Sequence, residues 1–255
     1  MDLQRVLKSI DDNHIDYMRM EMSDIYGIAR CKTIPARHFQ HKATNGINFG
    51  KAAFIYFDPV GELISEGAED GGDTDLGDAV CYPDYDTYAA LPWCPNTARV
   101  LINPTVHGKP MVANPREIAK TQCLRLKERG YSLLTAHEHE FLLTHVDTKK
   151  PAFNSYQWNA TARSSFNPAF TQQIDQDLKV AGVDVESIET ENAPGQMEVT
   201  YKPAFGLRAA DNAHTFRTAI KEIAQKYKYT ASFMTKYPVD GLHPNSTHLN
   251  HSLWA

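Results

Sequence analysis

The sequence predicts an α+β fold, with a small N-terminal domain around a twisted sheet and a larger domain whose antiparallel sheet is backed by helices. The chain has 255 residues, of which 42% are hydrophobic and 22% charged, so it can form one large or two small cores. Strand-like alternation recurs along the chain between segments of helical period. The pattern changes after a turn at residues 107–110, so the predicted domains are residues 1–106 and 107–255.

The N-terminal domain is predicted to begin with a helix that leads into a β-hairpin. Residues 24–27 carry the turn signal of this hairpin. Residues 61–78 are rich in Gly, Asp and Glu without periodicity, which predicts a mobile loop or a break between strands. The predicted elements are a helix at 3–12 and strands at 15–22, 28–34 and 97–104.

The C-terminal domain is predicted to alternate helices with strands. Its first helix begins at Asn114-Pro115-Arg116-Glu117, an N-cap, a first-turn proline and a capping glutamate, and runs to Gly130. A strand from residue 131, a helix at 168–180 and a strand at 184–189 follow. A last helical stripe is predicted to face the core through Leu207, Ala210, Ala213, Phe216, Ile220, Ile223 and Tyr227.

Composition excludes several classes of partner and location. The net charge of -5 leaves no basic footprint for nucleic acid and argues against a membrane surface. The sequence has no apolar run of membrane-spanning length and no N-terminal signal pattern, which predicts a cytoplasmic protein. The cysteines at positions 31, 81, 94 and 123 lack CxxC spacing, so reduced thiols are favoured over disulfides.

Two closely spaced glutamates are the first candidate for a functional site. Glu138 and Glu140 lie in the apolar run of residues 132–143, where a spacing of two places both carboxylates on one face of a strand. In a half-buried site such charges repel by several kcal/mol at an effective dielectric of about 20, unless a cation or a proton neutralises one of them. A hard divalent cation would do so best. The alternative is that this pair is simply a solvated strand face.

A second acidic segment favours the metal interpretation. Glu191 and Glu198 flank a turn signal, Pro194-Gly195-Gln196, so the loop can fold back and bring both carboxylates to one ion. His248 is the last candidate ligand; a lone histidine is more often structural, and only its place in this set supports ligation. Oxygen ligands with one imidazole suit Mg²⁺ or Mn²⁺ rather than structural zinc.

These segments resemble the glutamine synthetase superfamily. The shared motifs are an E-x-E strand, an E-x-x-P-G-Q-x-E loop and an H-x-[HN]-x-S-L-W strand, in this order, with Phe233-Met234-Thr235-Lys236 before the last. The resemblance covers essentially the whole chain but only the N-terminal part of a family member, so the chain is predicted to be a fragment. Residues 32–36, 91–93, 97–100, 194–198 and 210–213 are most similar to a lens member of the family.

The resemblance implies a β-grasp-like N-terminal domain, part of the catalytic domain, and a ligase that uses ATP to join glutamate and ammonia into glutamine. It implies a homo-oligomer. It also implies two ions, one held by Glu140, Glu191 and Glu198. The second would be held by Glu138, His248 and a further glutamate expected beyond Ala255. Ser252 and Asn250 would lie on the strand that contacts nucleotide or substrate.

Departures from the family pattern keep a second function open. Asn250 replaces the usual second histidine, residues 242–247 replace a glycine-rich loop with a proline and larger side chains, and residues 46–53 contain no acid to accept the ammonium proton. The arginine cluster that stabilises the transferred phosphate is expected outside this chain. The two interpretations are therefore a glutamate–ammonia ligase, inactive as this chain alone and with no catalytic residue assigned, and a non-catalytic structural protein that binds cytoskeletal or lens-fibre partners.

Three aromatic residues, Tyr156, Trp158 and Phe166, lie in a polar stretch between a strand and a helix. An insertion over the mouth of the site would be expected at this position. Ordinary anchoring of a loop is the favoured interpretation.

Overall fold

The computed structural model describes residues 1–55, 62, 77–154, 157–236 and 243–255. The α+β class is confirmed, and the chain divides into two compact units, Met1–Arg125 and Leu126–Ala255. Tyr156, residue 242 and nearly all of the predicted loop at 61–78 lie outside the described residues. Among the described helices, none combines the length and the apolar character that crossing a membrane requires.

The first unit contains a mixed sheet with helices packed beside it. Its elements are α1 (Leu3–Asp12), β1 (Tyr17–Ser23), β2 (Ala29–Pro35), a 3-10 turn (Ala36–His38), α2 (Phe39–Asn45), β3 (Ile47–Gly50), α3 (Ala52–Ile55), β4 (Asp78–Ala90), β5 (Thr97–Val106) and β6 (Lys109–Pro110). The strand order is β2-β1-β5-β4-β3, and β6 pairs with β5. Strands β1 and β5 are parallel, and the other described pairings of this sheet are antiparallel.

The predicted helix and hairpin of this unit are confirmed. The Asp2 side chain accepts a hydrogen bond from the Arg5 amide and caps α1, whose Val6 and Ile10 are buried. Strand β4 was missed, because Pro83 and the neighbouring aspartates interrupt its apolar alternation and the register shifts between Asp84 and Ala89. The described cysteines form no disulfide with one another, and burial raises the pKa of Cys81 to about 12.

The connection between the units is the helix α4 (Pro115–Glu128). Arg116 at its start donates to Asn103 at 2.7 Å and to Asp84 at 2.8 Å, so this end of the helix belongs with the first sheet. The first compact unit accordingly extends to Arg125. The domain boundary after residue 106 stays a prediction, since compactness alone does not define an independent domain.

The second unit is built around one long strand. Its elements are β7 (Ser132–His145), α5 (Thr161–Ser164), α6 (Pro168–Val180), β8 (Val185–Thr190), β9 (Gln196–Tyr201), β10 (Ala204–Phe205), α7 (Leu207–Lys226), β11 (Tyr229–Ser232) and β12 (Thr247–Trp254). The long strand β7 pairs with β9, β10, β11 and β12, while β8 pairs with β9, and these described pairings are all antiparallel.

One face of this sheet is the core. His139 and Phe141 of β7 pack against Phe216 of α7, with ring centroids 5.3 and 6.4 Å apart. Because side chains alternate along a strand, the neighbouring Glu138 and Glu140 lie on the opposite face. The core side chains of this unit include Leu143, Phe170, Ile174, Leu178, Met197, Val199, Ile220 and Ile223.

Part of the helical stripe predicted for α7 was wrong. Phe216, Ile220 and Ile223 are buried as predicted, but nearer its start the helix buries Ala209 and Asn212. The predicted stripe stepped back from Phe216 in threes, to Ala213 and Ala210, whereas an α-helix needs 3.6 residues for each turn. Two turns before Phe216, the predicted buried position is therefore displaced by one residue, to Ala210 instead of Ala209.

Candidate metal centre

A row of carboxylates crosses three neighbouring strands on the open face of the second sheet. Glu140 of β7 lies directly opposite Glu198 of β9, and Glu198 lies opposite Glu189 of β8 on its other side. Opposed residues in antiparallel strands have their Cβ atoms about 5 Å apart, and like charges there are destabilising. Sequence reasoning missed Glu189, although its spacing of two from Glu191 was a usable signal.

A tight turn brings Glu191 to the same place. The Glu191 amide donates to the Gln196 carbonyl at 2.9 Å, and the Leu143 amide donates to the Gly195 carbonyl at 2.8 Å. Gly195 has a φ of 74°, and a Cβ there would lie 2.5 Å from the Leu143 carbonyl oxygen. Only glycine lets the turn approach β7 this closely.

Glu140, Glu191 and Glu198 come together as one cluster. Each offers a carboxylate oxygen that lies within 4.8 Å of those of the other two, and all three residues are half-buried. Oxygen donors of this kind fit a hard cation such as Mg²⁺ or Mn²⁺. Ligation itself stays a prediction.

The carboxylates perturb one another. The pKa of Glu198 is raised from 4.5 to about 7, first by burial and then by repulsion from Glu189, Glu191, Glu138 and Glu140. A proton or a cation would relieve this repulsion. A perturbed acid within a cluster of this kind is a common mark of a functional site.

Two donors hold the Glu140 carboxylate, and sequence reasoning missed both. Ser246 donates through its amide at 2.9 Å and through its hydroxyl at 2.5 Å, and Gln196 donates through Nε2 at 2.8 Å. Asn245, only 5% exposed, fixes the segment that carries Ser246 by donating to the carbonyls of Ser232 and Met234. Asn245 and Ser246 belong to the predicted departure from the glycine-rich loop, and Ser246 reaches the Glu140 carboxylate.

Strand β12 brings His248 beside Glu138 but does not complete a second cluster. His248 lies directly opposite Glu138, and Asn250 donates from Nδ2 to Glu138 Oε1 at 2.7 Å. Ser252, next on the same face, accepts from Nε1 of Trp254 at 2.9 Å. Within the described part of the chain, only Glu140, Glu191 and Glu198 form a set of at least three metal-ligating side chains.

The described aromatic residues of the polar stretch have different roles. Phe166 anchors its loop by packing against Phe153, Phe170 and Tyr229, as the favoured interpretation expected. Trp158 does not, because it is 64% exposed and its Nε1 donates to Glu191 Oε1 at 3.0 Å. It therefore belongs to the carboxylate site.

Comparisons with known proteins agree with the motifs. Residues 112–255 match the family model described as glutamine synthetase, catalytic domain. The chain is 34% identical to lengsin of Canis lupus familiaris over 99% of this chain and 43% of lengsin, the lens protein that its segments resemble. It is 30% identical to glutamine synthetase of Mycobacterium bovis over 98% of this chain and 55% of that protein.

Solved structures support the fold. A GmaS/ADP complex superposes with a TM-score of 0.85 at 23% identity, covering 97% of this chain and 55% of that one. This chain spans about half the length of the curated relatives it matches. Because the family model covers more than half of the chain, the family is established. The chain belongs to the glutamine synthetase family.

Proposed function

We propose that the chain supplies the metal-binding half of a ligase that uses ATP and Mg²⁺ or Mn²⁺ to join glutamate and ammonia into glutamine. The observation that carries this proposal is the convergence of Glu140, Glu191 and Glu198 within 4.8 Å. Three clustered carboxylates cost stability through mutual repulsion, so a purely structural sheet has no reason to assemble them. The family membership agrees with this proposal.

The residues take distinct roles in this proposal. Glu140, Glu191 and Glu198 would hold one ion, and Glu138 with His248 would contribute to a second. Bound ions would supply positive charge to the phosphates of ATP and to the group in transfer. Gln196 and Ser246 orient the Glu140 carboxylate through their hydrogen bonds. Ser252 and Asn250 are proposed to lie on the nucleotide or substrate side, in a cytoplasmic homo-oligomer.

A second candidate is a non-catalytic structural role, with a cytoskeletal or lens-fibre partner. Two contacts favour it. Asn250 engages Glu138, and Ser246 engages both oxygens of Glu140, so the protein itself already satisfies carboxylates that ions would use. The 34% identity to lengsin points the same way.

Calorimetric titration of Mn²⁺ into the chain tests the first proposal against the second. We expect saturable binding to the wild-type chain and none to Glu198→Gln, which keeps the size of the side chain and removes its charge. Glu186, exposed on β8, provides the matched control in Glu186→Gln. A wild-type chain that binds no Mn²⁺ would reject the metal centre and favour the structural role.

A further inference from the structure

Glu191 differs from the other members of the carboxylate cluster in how its backbone is held. Glu140 and Glu198 stand on paired strands, whereas Glu191 follows the end of β8, in the loop before β9. A glutamate in a loop has more rotamers available than one packed in a sheet. Something must orient its carboxylate if it is to serve as a ligand.

Two neutral donors provide this orientation. Trp158 Nε1 donates to Glu191 Oε1 at 3.0 Å, and the Asn192 amide donates to Oε2 at 3.0 Å. Each oxygen keeps a lone pair for a cation, because a carboxylate accepts about four hydrogen bonds in all. Neither donor carries a charge that would repel the ion.

The segment that carries Trp158 is itself fastened to the end of β8. The Asn159 amide donates to the Thr190 carbonyl at 3.0 Å. Arg163, 6% exposed, donates from Nη1 to the carbonyls of Gln157 at 2.6 Å and Glu191 at 3.4 Å. Its guanidinium also lies over the Phe153 ring, 5.1 Å from the centroid. The indole is therefore held in place although most of its surface is exposed.

We propose that Trp158 is a positioning residue that holds the Glu191 carboxylate toward Glu140 and Glu198 and so sets the affinity of the cluster for a divalent cation. This inference rests on the proposed metal centre. Hydrogen bonds to metal ligands from outside the ligand set commonly change metal affinity by about 10-fold to 100-fold. Trp158 is 64% exposed, so its removal should affect the ion far more than the fold.

The test measures Mn²⁺ affinity, by the electron paramagnetic resonance signal of free Mn²⁺, together with the melting temperature of the ion-free protein. Trp158→Phe keeps the aromatic ring and removes the donor. Trp254→Phe is the matched control, because Trp254 is 54% exposed and its Nε1 donates to Ser252 rather than to a carboxylate. We expect Trp158→Phe to weaken Mn²⁺ binding about 10-fold with an unchanged melting temperature, and Trp254→Phe to leave both unchanged.

A second comparison decides whether Trp158 acts through Glu191. In a Glu191→Ala background, which removes the acceptor and leaves Glu140 and Glu198 as a weaker pair of carboxylates, Trp158→Phe should cause no further loss of affinity. An equal affinity in wild type and Trp158→Phe, or an equal loss in both backgrounds, would overturn the inference while leaving the metal centre intact. A wild-type chain without Mn²⁺ affinity would instead overturn the proposed function, and the inference with it.

Discussion

Glu140 on β7 lies directly opposite Glu198 on β9, and their side chains share the open face of the sheet. Like charges at directly opposed positions are destabilising in antiparallel sheets. The opposite face of the same strands packs as an ordinary aromatic core around Phe216. The sheet therefore buries apolar side chains on one face and brings like charges together on the other. An arrangement that costs stability in this way is expected at a functional site.

The stability of the ion-free chain should fall as pH rises from about 4.5 to about 7. The carboxyl group of Glu198 has a folded-state pKa raised from 4.5 to about 7, so the unfolded chain loses this proton first. The contribution of Glu198 to the free energy of unfolding is therefore fully present below pH 4.5 and is lost once the pH passes about 7. The free energy of unfolding, measured with urea across this range, should depend less steeply on pH in Glu198→Gln than in wild type. The same slope in wild type and variant would contradict the assignment, and Glu186→Gln should match wild type.

The hydrogen bond between Asn250 and Glu138 should give measurable but modest coupling. Asn250 is exposed and Glu138 is half-buried, and the 2.7 Å bond involves a charged acceptor. A double-mutant cycle with Asn250→Ala and Glu138→Ala should give a coupling of about 0.5–1.5 kcal/mol in the free energy of unfolding. Additive effects of the two substitutions would show that the contact does not hold Glu138.

His139 should be a core residue rather than a ligand. It is 2% exposed, its ring stacks on Phe216 at 5.3 Å, and burial lowers its pKa to about 3, so it is neutral near pH 7. His139→Ala should lower the free energy of unfolding by roughly 2–4 kcal/mol, because it leaves a cavity. His251→Ala on the exposed strand β12 should change it by less than about 0.5 kcal/mol. Equal effects of the two substitutions would refute this role.

Local signals in the sequence were enough to predict the helices that carry their own caps. Helix α6 occupies Pro168–Val180 as predicted, because the Asn167 side chain accepts from the Phe170 amide and a proline stands in the first turn. Helix α1 begins after the capping Asp2 for the same reason. These interactions span only a few residues and can be read from the sequence.

Contacts made through register or across long loops could not be predicted in this way. Glu189 lies opposite Glu198, beside the cluster, because β8 and β9 pair in one particular register. Ser246 reaches Glu140 across 106 positions of sequence, and Trp158 reaches Glu191 across 33. Neither contact leaves a local pattern. The motifs indicated which glutamates matter, but only the fold shows what holds them.

The isolated chain should form no glutamine from ATP, glutamate and ammonia, and no hydroxamate when hydroxylamine replaces ammonia, even with Mn²⁺ present. It spans about half the length of its relatives, residues 46–53 offer no acid, and the described residues contain one three-carboxylate cluster. The resemblance also places the phosphate-stabilising arginine cluster outside this chain, and a single such arginine can raise the rate of phosphoryl transfer about 10³-fold. Turnover above background that disappears in Glu140→Ala would contradict this expectation.

The most direct test of the metal centre is the melting temperature with and without millimolar Mn²⁺ or Mg²⁺. Binding to the folded state alone stabilises by RT ln(1 + [L]/Kd), which is about 2.7 kcal/mol at an ion concentration of 100 times Kd. For a chain of this size that corresponds to a rise of about 5–10 °C. We expect this rise in wild type and its loss in Glu198→Gln. A wild-type melting temperature that neither ion changes, or an equal rise in the variant, would contradict a site formed by Glu140, Glu191 and Glu198.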